Sequence, residues 1–75
     1  MKFIEVIETD KYGVGETTIY INLDSIDAFR QVFAEQHEED PIPKDPIPLT
    51  LVAVGSTVLT LKEDLKTFLA RLDHE

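Results

Sequence analysis

The sequence predicts a small α+β domain, mostly β: an antiparallel, strongly bent or barrel-like sheet closed by one C-terminal helix. Three observations carry this. Two short β-branched and aromatic runs lie near the N-terminus, an apolar hairpin follows the middle of the chain, and an apolar stripe at helical spacing ends it. The 75 residues, 1–75, make a single small domain.

The first run, "KFIEVIE" (residues 2–8), alternates: Ile4 and Val6 point one way, and Phe3, Glu5 and Ile7 the other. "TDKYGVGE" follows, with Asp10, Gly13 and Gly15 as turn residues. "TTIYINL" (residues 17–23) then places Ile19, Ile21 and Leu23 on one face. The two runs read as a hairpin with a longer loop.

"DSIDAFRQVFAEQ" (residues 24–36) reads two ways. Asp24 or Ser25 could cap a helix whose apolar residues Ile26, Phe29 and Phe33 fall at helical spacing. The same residues suit a strand in which Ile26, Ala28, Val32 and Ala34 alternate against Asp27 and Gln31. Local pattern leans to the helix, which gives an alternative fold of four strands and two helices.

An acidic, proline-rich loop at about 35–48 comes next. It holds all four prolines of the chain in "DPIPKDPIP". Proline removes a backbone donor and biases its predecessor to extended conformations, so no regular element should span the loop. Pro43, Lys44 and Pro46 form a P-x-x-P ligand candidate for a polyproline-binding groove. The plainer reading is a stiff connector, and deleting residues 38–45 is expected to leave the fold intact.

"LTLVAVGSTVLTL" is the clearest hairpin. Gly55 at the first central position of a two-residue loop suits a type II′ turn. Val54 then faces Thr57, Ala53 faces Val58, and Val52 faces Leu59. One face carries Val52, Val54, Leu59 and Leu61; the other carries Leu49, Leu51, Ala53 and Val58. Both faces are apolar and both need cover. One short helix covers only one, so Leu49, Leu51, Ala53 and Val58 are the candidate partner or self-association surface. The final helix shows an apolar stripe of Leu61, Leu65, Phe68, Leu69 and Leu72, with Thr60 and Glu63 in a capping-box pattern before it.

Charge and composition exclude several classes. Fifteen acids against seven bases give a formal charge of −8, which repels phosphate backbones and anionic lipid. The chain has no Cys, hence no disulfide and no thiolate metal site. There is no membrane-spanning apolar run, and the N-terminus lacks the features of a signal peptide, so a cytoplasmic location is expected.

No catalytic, cofactor or metal motif stands out. His37 among Glu38, Glu39 and Asp40 lacks a second ligand cluster. Ser25 with Asp24 and Asp27 lacks a positioned base. "GVGETT" lacks the third glycine and the Lys-Ser/Thr pair of a phosphate loop.

Two stretches together resemble the short flagellar FlbD/SwrD-type proteins of swarming motility. "IYINLDSIDAF" has a strand running into an Asn-x-Asp-x-Ile turn, here Asn22, Asp24 and Ile26. "LTLVAVGSTVLTLKEDLKTFLARL" has the strand, the glycine hairpin at Gly55, the strand, the Lys62-Glu63 start and the apolar helix. Leu23, where that family often has proline, and the acidic proline-rich insertion are this chain's own features. The resemblance implies a bacterial protein with a motility role and no enzymatic chemistry. It also implies a short turn at residues 23–25 leading into a strand. That makes about five strands, with a strand at about 26–33.

The expected function is therefore a non-enzymatic protein-interaction or regulatory module that self-associates as a homo-oligomer, with no cofactor and no direct nucleic-acid partner. The alternative is an acidic nucleic-acid mimic that inhibits a DNA- or RNA-binding protein.

Overall fold

A computed structural model describes residues 2–36 and 46–73 of the chain. Five antiparallel strands form one sheet: β1 (Phe3–Glu8), β2 (Thr17–Asn22), β3 (Ile26–Phe33), β4 (Pro48–Val54) and β5 (Thr57–Leu61). A C-terminal helix, α1 (Leu65–Asp73), follows. The spatial order is β2-β1-β5-β4-β3. The ladders leave the sheet open, with β2 and β3 as its edges. Those two edge strands are consecutive in the chain and are joined only by a 3-10 turn, Leu23–Ser25.

β1 and β2 pair as the alternation predicts. Ile4 faces Ile21 and Val6 faces Ile19. Ile4, Val6 and Ile21 are buried, whereas Phe3 on the opposite face of β1 is 55% exposed. The loop between the strands is built by Asp10, whose carboxylate accepts the Tyr12 and Val14 amides, both at 2.9 Å. Gly13 and Gly15 have φ of +77° and +90°, which L side chains rarely adopt.

The segment left open by local pattern is a strand. β3 pairs with β4 from Ile26↔Val54 to Phe33↔Pro48, with a register shift between Ile26 and Ala28. Asp27 is the extra residue of this bulge, and its carboxylate accepts the Gly55 amide at 2.8 Å. The bulge thus ties the start of β3 to the β4–β5 turn. Asn22 caps the 3-10 turn by accepting the Asp24 amide at 3.0 Å.

The β4–β5 hairpin has the expected register: Val54↔Thr57, Ala53↔Val58 and Val52↔Leu59. Gly55 has a φ of +62°, and among the described residues no non-glycine residue, Ser56 included, has positive φ, which fits a type II′ turn. β1 meets β5 only briefly, at Glu8↔Leu61. The Thr9 amide donates to the Thr60 carbonyl at 2.9 Å and the Lys62 amide to the Ile7 carbonyl at 2.8 Å.

The helix begins later than the apolar stripe predicts. Leu61 is the last residue of β5, opposite Thr50 and Glu8, because the ladder claims it first. The Thr60–Glu63 box does not cap α1. The Asp64 carboxylate does, accepting the Thr67 amide at 2.8 Å. Glu63 instead reaches Arg71 two turns along, at 2.7 Å. The connection is pinned by Thr50, fully buried, whose hydroxyl donates to the Glu63 carbonyl at 2.8 Å.

The core joins both halves of the sheet to the helix: Ile4, Val6, Ile21, Val52, Leu61 and Phe68. Burying each such side chain stabilises by roughly 1.5–3 kcal/mol. Phe68 is fully buried and meets Phe29 of β3 edge-on, with ring centroids 5.8 Å apart and planes at 71°. Helix α1 therefore covers the inner face of the β3–β4–β5 layer.

Candidate interaction surface

No helix covers the outer face of that layer among the described elements; the β1–β2 loop reaches it only near Ala34, where the Glu35 amide donates to the Lys11 carbonyl at 2.9 Å. The ladders β3–β4 and β4–β5 put Ala28, Arg30 and Val32, then Leu49, Leu51 and Ala53, then Val58 and Thr60 on one side. The four sequence-predicted surface residues are thus brought to one face. They differ in access. Leu49 is 1% exposed and offers no contact surface, Leu51 and Ala53 are half-buried, and Val58 is 60% exposed.

A shallow depression of about 140 Å3 lies on this face, lined by Ala28, Phe29, Arg30, Leu51, Ala53 and Val58. Arg30 is exposed and is the one charged residue of that lining. The sequence-derived surface omitted Ala28 and Arg30. Alternation within residues 26–34 carries their signal, but the bulge at Asp27 shifts the phase, so the face is legible only once β3 is registered against β4.

A second cleft, about 230 Å3, lies between β1 and the β5–α1 connection, lined by Glu5, Val6, Ile7, Lys62, Glu63 and Arg71. Its cations are held by the chain itself. Arg71 pairs with Glu63 at 2.7 Å and donates to the Glu5 carbonyl; Lys62 pairs with Glu16 at 3.0 Å. The lining includes no His, Cys or Ser to act as nucleophile or neutral base.

Other chemistry weighed from the sequence falls as follows. In "GVGETT" the Val14 amide is held by the Asp10 carboxylate and the Gly13 amide by the Asp10 carbonyl, so neither is available to a phosphate. Asp24, Ser25 and Asp27 serve the 3-10 turn and the bulge. Among the described residues no three His, Cys, Asp or Glu side chains group as a metal site. His37, Pro43, Lys44 and His74 lie outside the described residues, and Pro46 is exposed ahead of β4. No described helix is long and apolar enough to cross a membrane.

Among the described residues, six acids are engaged by the chain's own groups. Asp10, Asp27 and Asp64 hold backbone amides. Glu16, Glu35 and Glu63 face Lys62, Lys11 and Arg71. The Glu35 carboxylate, 3.4 Å from Lys11, and then Tyr12 hold the Lys11 ammonium above its ordinary pKa.

No protein-family model, no curated protein and no solved structure matches this chain.

Proposed function

We propose that this protein is a non-enzymatic interaction module that self-associates through the β3–β4–β5 side of its sheet. One observation carries the reading: an apolar outer face, with Val58 60% exposed, is bounded by the unpaired edge of β3. Isolated exposed apolar residues are ordinary on a protein surface. A depression lined mainly by them beside an open strand edge is a recognition feature.

A sharply bent sheet supports the same reading. Laid flat, five strands at about 4.8 Å spacing would separate the edges by about 19 Å. Asn22 on β2 and Ile26 on β3 are four residues apart, a reach of at most about 14 Å even fully extended. On this reading the sheet bends so that its inner face is largely filled by the core and α1, and its outer face and the open β3 edge, where Phe29 and Phe33 stay exposed, are left to meet a partner.

The nucleic-acid mimic is less favoured, because six of the carboxylates among the described residues are bound to backbone amides or to Lys and Arg and are not free to imitate a phosphate track. A role in motility, which the FlbD/SwrD resemblance implies, and a cytoplasmic location, expected from a chain without Cys or signal-peptide features, are part of the proposal.

Sedimentation velocity across a concentration series tests the reading. Concentration-dependent association in the micromolar range is the expected result. A strict monomer at high micromolar concentration would overturn it.

A further inference from the structure

The self-association proposed above can be taken to a specific geometry from the hydrogen-bond phase of β3. In an antiparallel ladder, alternate residues direct both backbone groups at the partner strand. The Ala34 amide donates to the Ile47 carbonyl on the β4 side at 2.8 Å. Val32, Arg30 and Ala28 share that phase, so Phe29, Gln31 and Phe33 point their N–H and C=O groups away from the sheet.

This open run is bounded at both ends. At its C-terminal end the next outward amide, Glu35, already donates to the Lys11 carbonyl at 2.9 Å. At its N-terminal end the bulge at Asp27 breaks the phase, and the Asp27 carboxylate is bound to the Gly55 amide. What remains is three outward residues spaced evenly about Gln31. No described strand pairs with them.

We infer that two copies of this chain pair their β3 edges antiparallel, about a twofold axis through Gln31. Phe29 then faces Phe33 of the second copy, Gln31 faces its own counterpart, and every outward N–H and C=O of the run finds a partner. A twofold interface needs a self-complementary patch, and this run, blocked at the same distance on either side of its centre, is one.

Side chains agree with the register. Phe29 is 40% and Phe33 55% exposed in the single chain, and pairing brings them together on one face. Arg30 comes opposite Val32 of the second copy, so no like charges meet. The run also lacks the proline and lysine with which exposed edges are commonly blunted. Pairing at β3 makes the two outer apolar depressions continuous, since Ala28 and Arg30 line both the depression and the edge.

The test uses the full chain with Gln31→Lys and Gln31→Glu. Each substitution sets like charges directly opposite one another at the axis, and each alone should weaken self-association about fivefold. An equimolar mixture of the two should recover wild-type association, because opposite charges then meet. Gln31→Pro removes only an outward N–H, so it should dissociate the dimer with its circular dichroism unchanged. The edge pairing is overturned, with self-association intact, if the Gln31 variants associate like wild type while Val58→Asp, or Tyr20→Lys at a β2 residue 66% exposed, dissociates the protein. Those results would place the contact on the outer face or on β2. A wild-type chain that stays monomeric overturns both the pairing and the reading it rests on.

Discussion

The contact between Phe68 and Phe29 ties the helix to the sheet, and a double-mutant cycle measures it. Phe68 is fully buried, and Phe29, 40% exposed, meets it edge-on at 5.8 Å. Phe68→Ala would cost about 3–5 kcal/mol. A 75-residue domain holds only about 4–11 kcal/mol in total, so that variant would sit near unfolding. Leucine keeps most of the apolar volume and removes only the ring, at under about 1.5 kcal/mol. The cycle therefore compares Phe29→Leu, Phe68→Leu and the double variant. An edge-on aromatic pair contributes about 0.5–1.5 kcal/mol beyond its area, and that is the expected coupling. Urea unfolding followed by circular dichroism gives the three values. All are taken at one protein concentration, because association and folding are linked. Additivity to within about 0.3 kcal/mol would refute the reasoning, since α1 would then not rest on β3 through these rings.

Two further outcomes follow from the turn and the cap. Gly55→Ala should destabilise by about 1–3 kcal/mol, the cost of a sparsely populated positive-φ backbone for an L residue. A β-carbon there meets nothing within 4 Å, so the cost is backbone alone, and an unchanged urea midpoint would contradict the turn. Hydrogen bonds from the Thr67 side chain, then its amide, hold the Asp64 carboxyl below its ordinary value of 3.8. Its folded pKa is depressed, so its contribution is complete above 3.8 and fades as pH falls through the lower folded value. Asp64→Asn keeps a capping oxygen without the titration. Thermal melts from about pH 5 down to pH 2 should show a shallower acid limb for it, and identical limbs would count against the cap.

Much of the fold is legible in the residues because it is local. The β4–β5 hairpin follows from Gly55, the one residue type at ease with a positive φ at that turn, flanked by β-rich runs whose alternation sets the register. The buried face of β1 follows from the alternation of Ile4 and Val6 with Phe3 and Glu5. Tertiary structure decided the rest. Residues 26–33 carry a helical spacing, Ile26, Phe29 and Phe33, and local physics does not choose between helix and strand. Pairing with β4, anchored by Asp27 on Gly55, chooses strand. Leu61 fits the helical stripe as well as the strand, and its ladder with Thr50 takes it. Leu49 and Val58 look alike in sequence, one fully buried and the other 60% exposed, because burial is set by what packs across a face and not by the residue. The open edge at Phe29, Gln31 and Phe33 has the same origin. The residues determine that β3 can pair on both sides, and only the order of strands in the sheet leaves one side free.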